Sequence, residues 1–147
     1  MADPDVSGAT APEDRELRAL LGEAHTIAVV GLSSNPDRPS NSVARYLQDH
    51  GYRIVPVNPR ETEILGERAY PSLGDIPGDI RIDVVDVFRR AEHTPDVARE
   101  AVAIGARVLW LQQGITNDEA YQIASAGGLD VIMGVCIRTT IERLGTT

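Results

Sequence analysis

Five short apolar runs recur along the chain: Ile27 to Val30, Arg53 to Val57, Ile82 to Phe88, Arg107 to Leu111 and Leu129 to Met133. They are rich in β-branched residues and largely lack polar alternation, which predicts strands covered on both faces. Between them apolar residues return at helical intervals: Val43, Ala44 and Leu47, then Val97, Ala101 and Val102, then Ala120, Ile123 and Ala124. Helix starts are predicted at Ser40 as a cap, at Thr94-Pro95 with proline in the first position, and at Thr116 with Glu119 as a capping box. Gly51, Gly105 and Gly127-Gly128 mark the stops. Strands alternating with helices predict βαβ crossovers. The expected fold is α/β, a doubly wound, Rossmann-like five-stranded parallel sheet with helices on both faces.

The ends and the longest connection complete this pattern. Residues 1–9 mix Asp, Pro, Ser, Gly and Ala without periodicity and are expected to form a mobile leader, with residues 10–147 a single domain. Thr10 and Glu13 have capping-box spacing ahead of Leu17, Leu20, Leu21 and Ala24, an amphipathic helix. The stretch 61–77 predicts turns at Leu65-Gly66 and Tyr70 to Gly74 with at most one helical turn. Asp86 is expected to be hydrogen-bonded near the end of the third strand, and a short helix should follow Cys136 and end near Leu144.

Charge narrows the function. Among 147 residues, 14 Lys+Arg oppose 22 Asp+Glu for a net charge of -8, which disfavours nucleic acid and anionic membranes as partners. No run is long and apolar enough to span a bilayer, and a lone cysteine precludes an intramolecular disulfide. A cytoplasmic protein is expected. Cys136 and the three histidines show no metal-ligand spacing, so no metal is expected. Thiol chemistry at Cys136, such as a mixed disulfide, stands beside its plainer reading as a small buried hydrophobe.

In a doubly wound sheet, ligands bind beyond the carboxyl ends of the strands. The segments there are Gly31 to Ser40, Asn58 to Glu61, Phe88 to Arg90, Gln112 to Gly114 and Gly134 to Arg138. They hold Arg38, Arg60, Arg89, Arg90 and Arg138, so an acidic chain concentrates positive charge on one edge, as an anionic ligand requires. The first loop departs from the dinucleotide fingerprint, because Ser33 and Pro36 stand where its second and third glycines would be. Ser33, Ser34 and Asn35 offer hydroxyl, amide and backbone donors instead. Asn58 takes the place of the acidic residue that holds an NAD ribose, with Glu61 a later substitute. Arg60 beside it suits a ribose phosphate, as in NADP or coenzyme A, and both remain open on these residues. Asp83 with Asp86 is a poor acid/base pair, and no nucleophile elbow, triad or P-loop lysine is present; the chain has no lysine at all.

Four motifs stand in order: Val30-Gly-Leu-Ser-Ser-Asn-Pro-Asp-Arg-Pro-Ser40, Val57-Asn-Pro59, Asp86-Val-Phe-Arg-Arg-Ala-Glu92 and Val108-Leu-Trp-Leu-Gln-Gln-Gly-Ile115. Through them the chain, over about residues 15 to 144, resembles the small stand-alone CoA-binding proteins of bacteria, the YccU-like family. More distantly it is similar to the CoA-binding domain of the succinyl-CoA synthetase alpha subunit. The resemblance implies a small-molecule nucleotide cofactor, coenzyme A or an acyl-CoA. Gly31, Leu32, Ser33, Ser34, Asn35 and Pro36 with Arg38 and Ser40 would hold its diphosphate. Val57, Asn58, Pro59 and Arg60 would lie by the adenosine and its ribose phosphate, Phe88 and Arg89 would border the nucleotide, and Leu111, Gln112 and Gln113 would bound the pantetheine arm. The synthetase's phosphorylated histidine belongs to a second domain without counterpart here, so its ligase activity is not implied. Gly134-Val135 before Cys136 departs from the acidic-basic pair common in the family. The expectation is therefore a non-catalytic carrier, sensor or accessory protein. Its rival is a small NADP-dependent oxidoreductase or nucleotide-linked sensor. An uncovered fifth strand or helix face would serve a homodimer.

Overall fold

A computed structural model describes residues 13–145. Five parallel strands form the central sheet: β1 (Thr26–Val30), β2 (Arg53–Val57), β5 (Val84–Val87), β6 (Val108–Leu111) and β7 (Asp130–Met133). Their order is β2-β1-β5-β6-β7. The order therefore reverses between β1 and β5, where crossovers leave in opposite directions and open a crevice at the carboxyl edge.

Helices cover both faces, as expected. On one side lie α1 (Asp14–Glu23), α2 (Pro39–Asp49) and α5 (Ile137–Leu144), packed on Ile27, Val29, Ile54, Trp110 and Ile132. On the other, α3 (Thr94–Ala103) and α4 (Asp118–Ala126) cover Ala28, Val55, Val85, Leu109 and Val131. Every residue of β1, β5 and β6 is buried. Each large aliphatic side chain in these layers contributes about 1.5–3 kcal/mol by leaving water, which is why near-continuous apolar runs end up in the middle of the sheet.

Several local expectations are corrected. Arg38, not Ser40, is the N-cap of α2, because Pro39 takes the first helical position and Ser40 then lies within the first turn. Pro95 is the second residue of α3, with His93 at the cap. Asn117, not Thr116, caps α4, its side chain accepting from the Ala120 N–H at 2.8 Å. The cap of α1 is a Glu13–Glu16 box; the expected Thr10 cap and the leader lie outside the described residues.

The connection after β2 holds more structure than turns. Glu63–Ile64 (β3) and Glu67–Arg68 (β4) form an antiparallel hairpin, followed by a 3-10 turn at Leu73–Asp75. Leu65 and Gly66 at its tip have φ of 55° and 78°, the left-handed pair that a tight two-residue hairpin demands. The hairpin returns the chain to β2: Asn58 N–H donates to the Tyr70 carbonyl at 2.9 Å and Tyr70 N–H to the Pro56 carbonyl at 3.0 Å. Pro56, which has no N–H to offer a ladder, is tolerated on this edge strand.

Candidate functional site

Gly31 is the first residue beyond β1 and has φ of 85°. Its N–H donates to the Val57 carbonyl at 2.9 Å, while the Phe88 N–H beyond β5 donates to the Val30 carbonyl at 2.8 Å. A Cβ on Gly31 would lie 2.3 Å from the Phe88 carbonyl oxygen, so only glycine lets the three strand ends close up here.

The loop from Leu32 to Arg38 is shaped by its own polar side chains. Ser40 Oγ accepts from the Ser33 N–H at 3.0 Å, Ser33 Oγ from the Asn35 N–H at 3.0 Å, and Asn35 Oδ1 from the Asp37 N–H at 2.9 Å. Asn41, buried in the first turn of α2, donates to the Ser33 carbonyl at 2.9 Å. Thus the residues standing where glycines were missing tie the loop onto the helix start. Asn58 fastens it from the second strand, donating to the Leu32 carbonyl at 2.9 Å and accepting from the Arg60 N–H at 2.7 Å.

Three cavities run together along this edge. One of about 240 Å³ lies between Gly31, Ser33, Arg38, Ser40 and Phe88. The next, about 260 Å³, shares Gly31 and continues past Val57, Asn58, Pro59, Arg60 and Arg89 to Pro71. Pro59, Arg60 and Pro71 also wall the third, of about 750 Å³, which reaches Glu61, Arg68 and Tyr70. Arg38, Arg60 and Arg89 are exposed, and their guanidiniums make no ion pair or hydrogen bond among the described residues. Their charge is therefore free to meet an anion, and the Ser33 and Ser40 side chains line the same cavity as Arg38.

Other expected residues fall elsewhere. Leu32 and Leu111 are fully buried in the two core layers. Gln112 is buried, and its Oε1 accepts from the Ile137 N–H at 3.1 Å, seating α5. Gln113 and exposed Arg90 line none of the three cavities, and Arg138 is engaged by Glu142 at 3.2 Å and stacks 4.9 Å over Tyr46. Cys136 is half-buried at the cap of α5. Asp83 closes the amino end of the sheet, accepting from the His25 and Thr26 N–H groups, far from this edge. Asp86 is expected from the sequence to be hydrogen-bonded, but it is fully buried and neither carboxyl oxygen has a partner among the described residues. It faces the apolar α1–α2–α5 layer between Val29 and Trp110, and burial pushes its carboxyl well above the usual range, favouring the neutral form.

Arg68, Tyr70 and Pro71 were missed. The signal was the Leu65-Gly66 pair: read as a hairpin tip, it returns the chain to the end of β2 and places these residues on the groove.

Comparison with known proteins agrees with this fold. Residues 25–142 match the family described as CoA binding domain. An uncharacterized Bacillus subtilis protein, YneT, is 48% identical over 127 residues, covering 86% of this chain and 93% of its own. A hypothetical protein from Pyrococcus horikoshii has a solved structure with a TM-score of 0.88 at 38% identity, covering 98% of this chain and 97% of the other. The alpha subunit of an ADP-forming acetate–CoA ligase II from Pyrococcus furiosus is 37% identical over 120 residues, which are 76% of this chain but 26% of that subunit.

Proposed function

The chain belongs to the CoA binding domain family, and from that premise we propose that it holds coenzyme A or an acyl-CoA in the groove at the β1–β2–β5 edge, as a carrier, sensor or accessory protein. The observation that carries this reading is the run of three guanidiniums, Arg38, Arg60 and Arg89, unpaired along one continuous groove in a chain of net charge -8. Every arginine of the α5 region that lies near a carboxylate has taken it, whereas these three have not. The donor set suits the coenzyme's anionic half. Ser33, Ser40 and Arg38 line the space for a diphosphate, and Arg60 with the Tyr70 and Pro71 walls suits the adenosine and its ribose phosphate. The thiol arm would leave past Phe88. The ligase subunit supports the coenzyme class only, since the match spans about a quarter of it.

The test is thermal melting with CoA, dephospho-CoA, NAD and NADP. A ligand bound only by the folded chain raises the melting temperature in proportion to its affinity. CoA is expected to give the largest shift and dephospho-CoA a smaller one, because it lacks the phosphate that Arg60 would meet. A shift with NADP and none with CoA overturns the reading.

A further inference from the structure

A carboxylate of the chain itself, Glu61, already stands on the wall of this groove. Glu61 reaches back across the crevice from the loop after β2, and its Oε2 accepts from the Ser34 hydroxyl at 2.8 Å and from the Ser34 N–H at 3.4 Å. The path that brings it there is well defined: Asn58 Oδ1 holds the Arg60 N–H, and the Asn58 amide is fixed to the Leu32 carbonyl. We propose that Glu61 occupies the Ser34 N–H and hydroxyl, which adjoin the groove next to Ser33 and line none of its three cavities, as a resident carboxylate that a diphosphate ligand displaces.

The placement carries the argument. Glu61 has no cationic partner among the described residues, although Arg60 adjoins it and Arg38 and Arg89 line the same groove. Its charge is held by the two Ser34 donors alone. A carboxylate oxygen uses such donors as a phosphate oxygen does, so the contact marks where the loop takes an anion. Ser34 is exposed and Glu61 only partly buried, which makes the contact weak and exchangeable with ligand. A diphosphate beside Ser34 would meet a like charge unless Glu61 swings out. Displacement lowers the apparent affinity of an anionic ligand by the free energy of the Ser34–Glu61 contact, which Glu61 must give up first.

The inference rests on the groove taking the coenzyme's diphosphate, and the test separates the two. Calorimetric titration with CoA and with ADP is run on the natural chain, Glu61→Gln, Glu61→Ala and Glu63→Gln. Glu63 is an exposed carboxylate two residues along, outside the cavities, and controls for charge alone. The expected result is that both Glu61 variants bind CoA and ADP about threefold tighter or more, while Glu63→Gln stays within about twofold of the natural chain. Weaker binding by Glu61→Ala overturns the inference, since the carboxylate would then be holding a ligand hydroxyl. Equal gains from Glu61→Gln and Glu63→Gln overturn it as well, because charge at a distance would suffice. If the natural chain binds CoA and no variant differs, the resident-anion idea falls while the coenzyme reading stands. If none of the four binds CoA or ADP, both fall.

Discussion

The carboxyl ends of β1, β2 and β5 and those of β6 and β7 belong to one edge of one sheet, yet the two halves use their polar groups in opposite ways. At the first, side chains bond to loop backbone and leave arginines unspent: Asn58 braces the Leu32 carbonyl, Ser40 the Ser33 N–H, and Arg38, Arg60 and Arg89 stay free. At the second, polar groups close upon the fold. Trp110 Nε1 donates to the Val135 carbonyl at 2.9 Å, Gln112 seats α5, and Arg138 is taken by Glu142 and Tyr46. Which strands a ligand uses is therefore decided by where the order reverses. A strand end without a reversal has a neighbouring helix to satisfy it and becomes structure.

The sharpest break in this contrast comes at its tightest point. Gly31→Ala is expected to cost about 3 kcal/mol or more, since its Cβ would lie 2.3 Å from a backbone oxygen at φ of 85°. Gly128→Ala, at φ of 90° with nothing within 4 Å, should lose only about 1 kcal/mol. Equal losses in urea unfolding would mean that the strand ends are not closely pressed together at Gly31.

A second pair sets the halves against each other. Gln112→Ala strands the buried Ile137 N–H and should lower unfolding stability by about 2 kcal/mol while leaving CoA affinity unchanged. Arg38→Ala and Arg60→Ala should do the reverse, weakening CoA by about tenfold, or about 1.4 kcal/mol, at unchanged stability. A loss of CoA affinity in Gln112→Ala would extend the site across the whole edge.

Asp86 lies on the seam, with Val29 on one side and Trp110 on the other. Its folded pKa is raised by burial, so the folded chain retains a proton that the unfolded chain has lost. Stability should be fullest below the ordinary carboxylate range and fall as pH rises from there towards the raised folded value. Asp86→Val removes an unpartnered carboxyl from an apolar layer and is expected to add about 1–3 kcal/mol at neutral pH and to flatten that slope. Unchanged pH dependence in chemical unfolding would refute this account.

The strands and helices were legible because burial on both faces writes itself into near-continuous apolar runs such as Ile27 to Val30 and Val84 to Val87. Strand-end reasoning also put the arginines at 38, 60 and 89 on the carboxyl edge, where they line its cavities. The hairpin was hidden because β3 and β4 are two residues each, too short for periodicity to register. Gln112 follows β6 as Gly31 follows β1, so position alone could not tell a groove residue from one packed under α5. Asp86 was misread because a carboxylate at neutral pH is expected to have partners, and sequence does not reveal that its surroundings favour the neutral form.

The indole of Trp110 has a practical consequence. It is the single tryptophan of the chain, is sealed in the core and tethered to the loop before α5, and the three cavities of the groove do not touch it. Its emission is thus a built-in optical gauge of whether the last helix is docked, and a nucleotide bound in the proposed groove would have no direct contact with the indole.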